Sequence, residues 1–190
     1  MIAPIISKGL TTMKIFTSCI TSLYLLCLGT IIGGIIACGA LVAPVIFNAS
    51  QYLAAIEIAD PSGITRYASG ILMTEIFARF NYLLNAMAIF ILVYELLAFN
   101  ISSKKSLFLL GIGIFSVVLI FLFTMYYAPA IIAAQVDGAA ATATDEFGSL
   151  HTQSEMIFQI LLISLSASFL WRVYLLRFSL PAATSKSRKK

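Results

Sequence analysis

Charged residues are scarce in this chain, and so are the residue types that build most metal and redox centres. Only 11% of its 190 residues are charged, and it contains one histidine, one tryptophan and three cysteines. A single histidine excludes a haem held by two histidines of the same chain. The sequence also lacks a phosphate-binding loop, a serine nucleophile elbow and a CxxC pair. We therefore predict no cofactor and disfavour an enzymatic activity.

Apolar residues are abundant instead. They make up 61% of the chain, and the mean hydropathy of +1.01 is far above that of water-soluble domains. Each crossing of a hydrocarbon layer about 30 Å thick needs roughly 20 residues of helix, and the alternating pattern of barrel strands is absent. The sequence therefore predicts an all-α integral membrane four-helix bundle. Its parts are a tail at 1–14, a single membrane domain at 15–178 with spans at about 21–47, 82–99, 107–127 and 156–176, and a basic tail at 179–190.

The distribution of basic residues predicts the orientation. Ten of the 12 lysines and arginines lie before the first span, between the second and third spans, or near and after the end of the fourth. Because lysine and arginine are enriched in cytoplasmic segments, both termini are predicted to be cytoplasmic. The net charge of +4 is then a signal of topology, with the basic tail meeting anionic lipid headgroups. We predict a lipid bilayer and no nucleic acid as partner.

An Ala-Pro pair follows the first and third apolar runs, as Ala43-Pro44 and Ala128-Pro129. Proline removes a backbone donor, so both sites suit a helix that bends where it leaves the hydrocarbon. We predict that Pro44 and Pro129 mark the outer ends of these spans. The matching ends favour an internal repeat of two like-oriented helical hairpins, with a chance match left open.

Small residues recur every four positions in the first span, at Gly29, Gly33 and Ala37. Such a stripe lets another helix approach closely. We predict a helix-packing contact there, within the chain in preference to a homodimer. Cys19, Cys27 and Cys38 fall on the same helix and are expected to fill packing space.

Polar residues also form faces at the predicted outer ends of the second and fourth spans. Asp60-Pro61 suits a helix start, so an amphipathic helical extension is expected ahead of the second span. On the fourth, residues 151, 155, 159 and 166 fall within an arc of about 80°, and this stripe is predicted to point into the bundle. The candidates for one polar pocket near the outer leaflet are Glu75, Arg79, Tyr82, Asn85, His151, Glu155 and Gln159. The alternative is a set of structural hydrogen bonds with an Arg79–Glu155 ion pair.

Glu95 stands apart from this group, about one turn from the cytoplasmic end of the second span. Snorkelling to the interface, or pairing with Lys104, Lys105 or Arg172, is favoured over a role in proton relay.

Three segments carry a family resemblance: "GGIIACGALVAPVIF", "GILMTEIFARFNYLLN" and "EFGSLHTQSEMIFQILL". They resemble the uncharacterised bacterial membrane proteins of domain-of-unknown-function family 4149, which are similar to eukaryotic transmembrane protein 205. The resemblance implies four spans in a bacterial inner membrane, a glycine-rich first helix, a helix end at 44–47 and a histidine, here His151, opening the last helix. It implies no established reaction. The association of the eukaryotic relative with tolerance of a platinum drug suggests metal or solute handling.

Two functional classes follow from the sequence. In the first, the protein binds or moves a small solute or metal ion through the outward-facing pocket. In the second, it is a non-catalytic assembly or accessory subunit that docks a membrane protein partner. The identity of any metal ligands stays open, because methionines at helical spacing are more often packing residues than copper ligands.

Overall fold

The computed structural model describes residues 3–55, 64–101 and 105–179, and within these ranges the chain is helical and contains no strand. A π-helical segment at Ala37–Val42 joins the first two helices, another at Phe123–Tyr127 joins the fifth and sixth, and a 3₁₀ turn at Ala141–Ala143 precedes the last. The α-helices are α1 (Ala3–Ile36), α2 (Ala43–Phe47), α3 (Ala49–Ala55), α4 (Arg66–Ile101), α5 (Leu107–Leu122), α6 (Ala128–Val136) and α7 (Asp145–Ser179).

Four helical stretches in the described ranges are long and apolar enough to cross a membrane. They are Phe16–Phe47, Arg66–Ile101, Leu107–Val136 and Asp145–Arg177. Each contains one of the predicted spans, which confirms the prediction of an all-α, four-helix membrane bundle.

The bundle closes around one core, in which α4 packs on α5, α5 on α7, and α1 on both α4 and α7. On each helix the buried residues recur at intervals of three and four positions, as one face of a helix requires. Lipid is as apolar as these side chains, so close van der Waals packing rather than water exclusion holds the helices together. The fully buried apolar residues at its centre are Tyr24, Leu28, Ile31, Leu84, Ala88, Ile91, Ile120 and Leu161.

Two long helices begin well outside the predicted spans. α4 begins at Arg66 and α7 at Asp145, as the expected outer extensions require; the predicted helix start at Asp60-Pro61 lies outside the described residues. Two hydrogen bonds hold the start of α4: Ser69 donates to the carbonyl of Ile46 (3.0 Å), and Tyr67 donates to that of Gln135 (2.6 Å). At the other end of the chain, α1 begins at Ala3, so the segment predicted as a tail is helical from that residue onward.

Both Ala-Pro pairs occupy the same local structure. Each opens a short helix directly after a π-helical segment, with Pro44 in the first turn of α2 and Pro129 in the first turn of α6. The amide of Ala43 bonds to the carbonyl of Cys38, five residues back, and that of Ala128 bonds to Phe123. A proline ring clashes with the carbonyl four residues before it, and the wider π turn makes room for that ring. The shared geometry fits an internal repeat, which stays a prediction.

The small-residue stripe of α1 does not face the core. The buried face contains Tyr24, Leu28 and Ile31, and at 100° per residue the stripe lies about 180° from it. A Cβ atom built on Gly29 or Gly33 would meet nothing within 4 Å in the described part of the chain. The prediction that these glycines make a contact within the chain is therefore wrong. Gly34 is the glycine in close contact there, because its Cβ would lie 2.5 Å from the Phe80 ring.

Candidate functional site

The most enclosed carboxylate in the described residues is Glu95, near the end of α4. Its side chain is 1% exposed, although it carries a carboxylate within a membrane-spanning helix. Tyr24 of α1 donates a hydrogen bond to Oε1 at 2.5 Å, and Nη2 of Arg172 on α7 lies 2.5 Å from Oε2. This confirms the predicted pairing with Arg172. The other two predicted partners do not share that role, because Lys104 lies outside the described residues and Lys105 lies over the Phe99 ring, 5.3 Å from its centre.

Two stacked tyrosines hold the arginine in place. The rings of Tyr24 and Tyr94 are nearly parallel, with centres 3.9 Å apart. The Arg172 guanidinium carbon lies 5.5 Å from the centre of the first ring and 5.0 Å from that of the second, within cation–π range. Ser168, one turn earlier on α7, is 3.3 Å from the Tyr24 hydroxyl. We call Tyr24, Tyr94, Glu95, Ser168 and Arg172 the inner polar cluster.

A glycine on α5 makes room for the carboxylate. A Cβ atom on Gly113 would lie 2.6 Å from Cγ of Glu95 and 3.1 Å from its Cδ. No side chain fits at that distance, so the bare backbone of α5 packs directly on Glu95. Three helices besides its own therefore define the position of this one carboxylate.

A small cavity of about 80 Å³ lies beside the cluster, between α4, α5 and α7. Nε of Arg172 is buried and has no hydrogen-bond partner in the part of the chain that the structure describes. The cavity also reaches the first turn of α5, where the Ser106 hydroxyl caps the helix by accepting from the Leu109 amide at 3.4 Å. Its lining residues are Glu95, Ala98, Phe99, Ser106, Leu109, Leu110, Arg172 and Leu175.

Further polar pairs continue through the bundle toward the other end. Ser116 and Ser164 are in contact at mid-height, with their hydroxyls 2.8 Å apart. Nearer the Ala-Pro end, Thr124 donates to the Asn85 side chain at 2.7 Å. Tyr127 donates to the side chain of Gln153 at 3.2 Å. Gln153 and Arg172 are 19 positions apart on α7, a rise of about 29 Å, so these pairs cover the thickness of the hydrocarbon layer.

The predicted outer stripe on α7 has a different setting. Nε2 of His151 lies 3.2 Å from Oε1 of Glu155, and the His151 ring stacks parallel to Phe147 with centres 6.1 Å apart. The side chain of Glu155 is 61% exposed, and Gln159 is also exposed. The expectation that this stripe points into the bundle is therefore wrong for Glu155 and Gln159. The inward face of α7 instead consists of residues such as Phe158 and Leu161.

The candidates on α4 are separated in the same way. Glu75 and Arg79 are exposed, and Tyr82 is 80% exposed. Asn85 is partly buried and bonds to Thr124 on α5, whereas Glu155 pairs with His151 on its own helix and not with Arg79. Of the seven candidates, the structure brings His151 and Glu155 into direct contact, and a single pocket formed by all seven stays a prediction.

Metal-binding groups are not concentrated in the described residues, where no three His, Cys, Asp or Glu side chains form a cluster that could hold an ion. Cys27 and Cys38 are buried, Cys19 is exposed, and all three are free thiols. Packing is thus the role that the structure shows for the two buried cysteines.

Sequence reasoning identified Glu95 and Arg172 but missed Tyr24 and Ser168. A usable signal was present on α7, where Ser164 and Ser168 are four residues apart on the same stripe as Leu161 and Leu165. Polar residues within the most apolar face of a membrane helix have to find partners inside the bundle. The charged and amide side chains that predicted the pocket are instead mostly exposed, as at Glu75, Arg79 and Glu155.

One protein family matches this chain. The model of the family described as "Domain of unknown function (DUF4149)" matches residues 26–140, a range that includes Glu95 and Gly113. No curated protein and no solved structure matches, and the resemblance to transmembrane protein 205 stays a prediction. Four helices in the described ranges are able to span a membrane, and because the family match covers more than half of the chain's 190 residues, this multi-pass membrane protein belongs to the DUF4149 family.

Proposed function

We propose that this protein is an inner-membrane protein of bacteria that binds a small solute and moves it through the interior of its helical bundle. The observation that carries the proposal is the Glu95–Arg172 ion pair, which is enclosed within membrane-spanning helices. Well-packed apolar residues often stabilise a protein as much as a buried ion pair does, so stability is a weak reason to retain the pair. Ionisable groups inside membrane bundles commonly mark solute and ion pathways.

The rest of the interior supports a pathway with one open end. Polar side chains extend from the inner polar cluster through Ser168 to the Ser116–Ser164 pair. Between that pair and the Thr124–Asn85 pair lies an apolar layer, in which Ile120 and Leu161 are fully buried. Such a layer closes the path toward the outer end. A transporter that exposes its site to one side at a time needs a closure of this kind.

The inner end of the path belongs on the cytoplasmic side in this proposal. The inner polar cluster lies at the end of the bundle that carries Lys105 and Arg177, and basic residues favour the cytoplasm. Trp171 and Tyr174 are exposed at the same level, as interfacial aromatic residues commonly are. The proposed outer pocket, with Arg79, Asn85, His151 and Glu155, would then receive the solute from outside.

Osmotic swelling of proteoliposomes tests the proposal. Vesicles containing the purified protein are mixed with small solutes, such as glycerol, urea and the ammonium salts of small acids, and light scattering records the swelling rate. We expect at least one solute to enter faster than it enters protein-free vesicles. Ala98→Leu should slow this entry, because Ala98 lines the inner cavity and a larger side chain fills it.

Ala86→Leu is the matched control, since Ala86 is an exposed alanine on the same helix. His151→Ala and Glu155→Ala test the outer pocket: both variants should fold, and both should slow entry if the solute passes these residues. Wild-type vesicles as tight as protein-free vesicles for every solute would contradict the proposal.

An accessory or assembly subunit is the second candidate. The observation that favours it is the small-residue stripe of α1, which faces away from the core and leaves Gly29 and Gly33 open to a second helix. This surface suits a membrane protein partner or a second copy of the chain. The swelling assay separates the two functions, because vesicles that contain an accessory subunit should swell no faster than protein-free vesicles.

A further inference from the structure

The inner cavity points to a particular class of solute. Building on the transport function proposed above, we propose that the cavity beside Arg172 binds a small monovalent anion, of the size of formate, nitrate or chloride. We propose further that the anion binds together with one proton, which Glu95 takes up.

The polar atom beside the cavity that lacks a hydrogen-bond partner is a donor. Both carboxylate oxygens of Glu95 already accept hydrogen bonds, from Tyr24 and Arg172. Nε of Arg172 is buried and unpaired in the described residues, although Arg172 lines the cavity. A buried donor without an acceptor is destabilising. Because Nε is buried, an anion in the cavity would supply the acceptor after the guanidinium turns toward it.

The charges around the cavity lead to the same ligand. Arg172 and Glu95 cancel, and a further positive charge is close to the cavity wall, because the Lys105 ammonium lies over the ring of the lining residue Phe99. The cavity also touches the first turn of the 16-residue helix α5, and a helix N-terminus carries partial positive charge. This second contribution is small, but it has the same sign.

The size of the cavity limits the ligand. Roughly 10–15 Å³ of cavity volume is enough to hold one water molecule, so a volume of about 80 Å³ holds several water molecules or one small ion. Apolar side chains such as Leu109 and Leu175 form part of its wall. A sugar or a nucleotide is too large for this space, and a multiply charged anion would meet too few donors.

The proton follows from charge balance. In the described residues Arg172 is the cationic partner of Glu95, and the other groups in contact with Glu95 are neutral: Tyr24 on α1, which also contacts Ser168, and the backbone of Gly113 on α5. If the guanidinium turns toward an anion, the carboxylate is left buried with no countercharge, which is strongly unfavourable. One proton from the cytoplasm makes Glu95 neutral, and the site then contains Arg172 and the anion, again with no net charge.

Calorimetric titration of the full-length protein with sodium formate tests the inference at equilibrium and requires no transport. The titration is performed twice, in two chloride-free gluconate solutions whose buffers differ in their heat of ionisation. The difference between the two measured heats of binding gives the number of protons taken up. We expect uptake of close to one proton per formate. Over the range in which Glu95 gains its proton on binding, affinity should fall about tenfold for each unit of pH rise.

Three variants test the roles of the residues. Ala98→Leu should abolish formate binding by filling the cavity, without removing any member of the ion pair. Glu95→Gln should still bind formate, but with no proton uptake and no dependence on pH, because Gln cannot take up the proton. Arg172→Lys should weaken formate binding, because the lysine side chain is shorter and has no donor equivalent to Nε of arginine. Arg177→Gln is the control, because Arg177 is an exposed arginine of the same helix.

The outcomes separate this inference from the function on which it rests. If the wild-type protein binds none of formate, nitrate and chloride, the anion site is wrong, even if the vesicles swell in glycerol or urea. If formate binds equally well to Ala98→Leu, the anion lies elsewhere. If the wild-type protein takes up no proton, or if Glu95→Gln keeps the uptake, the coupling to Glu95 is wrong.

Discussion

The two ends of the bundle place the same residue type in opposite environments. At the inner end, Glu95 is 1% exposed and is contacted from α1, α5 and α7. At the outer end, Glu155 is 61% exposed, and its partner His151 lies one turn away on the same helix. A carboxylate held by three other helices depends on the whole bundle, whereas an i,i+4 pair depends on one helix alone. The difference indicates that the inner end is the specialised part of this bundle.

The physical basis of this difference is the cost of leaving a partner behind. If one member of a buried ion pair is removed, the other stays in a low dielectric without compensation. An exposed group in the same position is solvated instead, so exposed pairs contribute little. Matched substitutions at the two ends should therefore differ several-fold in their effect on stability.

The largest effect is expected for Arg172→Ala. The change leaves Glu95 buried without a cation and removes the guanidinium from the two tyrosine rings. We expect a loss of about 3–5 kcal/mol of stability, measured by unfolding of the purified protein in a fixed detergent. Arg177→Ala, at an exposed arginine five residues later on α7, should change stability by less than about 0.5 kcal/mol. Equal losses in both variants would show that the pair is not energetically enclosed.

A smaller effect is expected from two glycines on α5. Gly113→Ala places a methyl group 2.6 Å from Cγ of Glu95, whereas the same change at Gly111 meets nothing within 4 Å. We expect Gly113→Ala to destabilise the protein by about 1–3 kcal/mol through overpacking. Gly111→Ala should be neutral, or stabilising by up to about 1 kcal/mol through helix propensity. If thermal unfolding shows that the two variants tolerate alanine equally, α5 does not pack on Glu95.

The inner and outer ends also differ in how far the sequence predicts them. Four apolar runs predict four spans, because a helix satisfies its own backbone hydrogen bonds within the lipid. The Glu95–Arg172 pair was predictable because a charge in a span needs a partner, and few partners lie at its depth. The inward direction of Glu155 and Gln159 was not predictable, because a helical wheel shows which residues share a face but not which face meets the neighbouring helices. The rotation of each helix about its axis is determined by how its side chains pack against the neighbouring helices, and the sequence of one helix does not contain that information.

The smallest effect is expected at the outer pair. Glu155→Ala removes a half-exposed contact with His151 at 3.2 Å on one helix, and such pairs contribute about 0.2–0.5 kcal/mol. We expect the stability measured by thermal unfolding to change by no more than this. Glu146→Ala, an exposed carboxylate near the start of the same helix, provides the baseline. A loss as large as that of Arg172→Ala would mean that Glu155 is covered in the membrane, by a partner or by a second copy of the chain. The outer end would then be an interface, and the difference between the two ends would disappear.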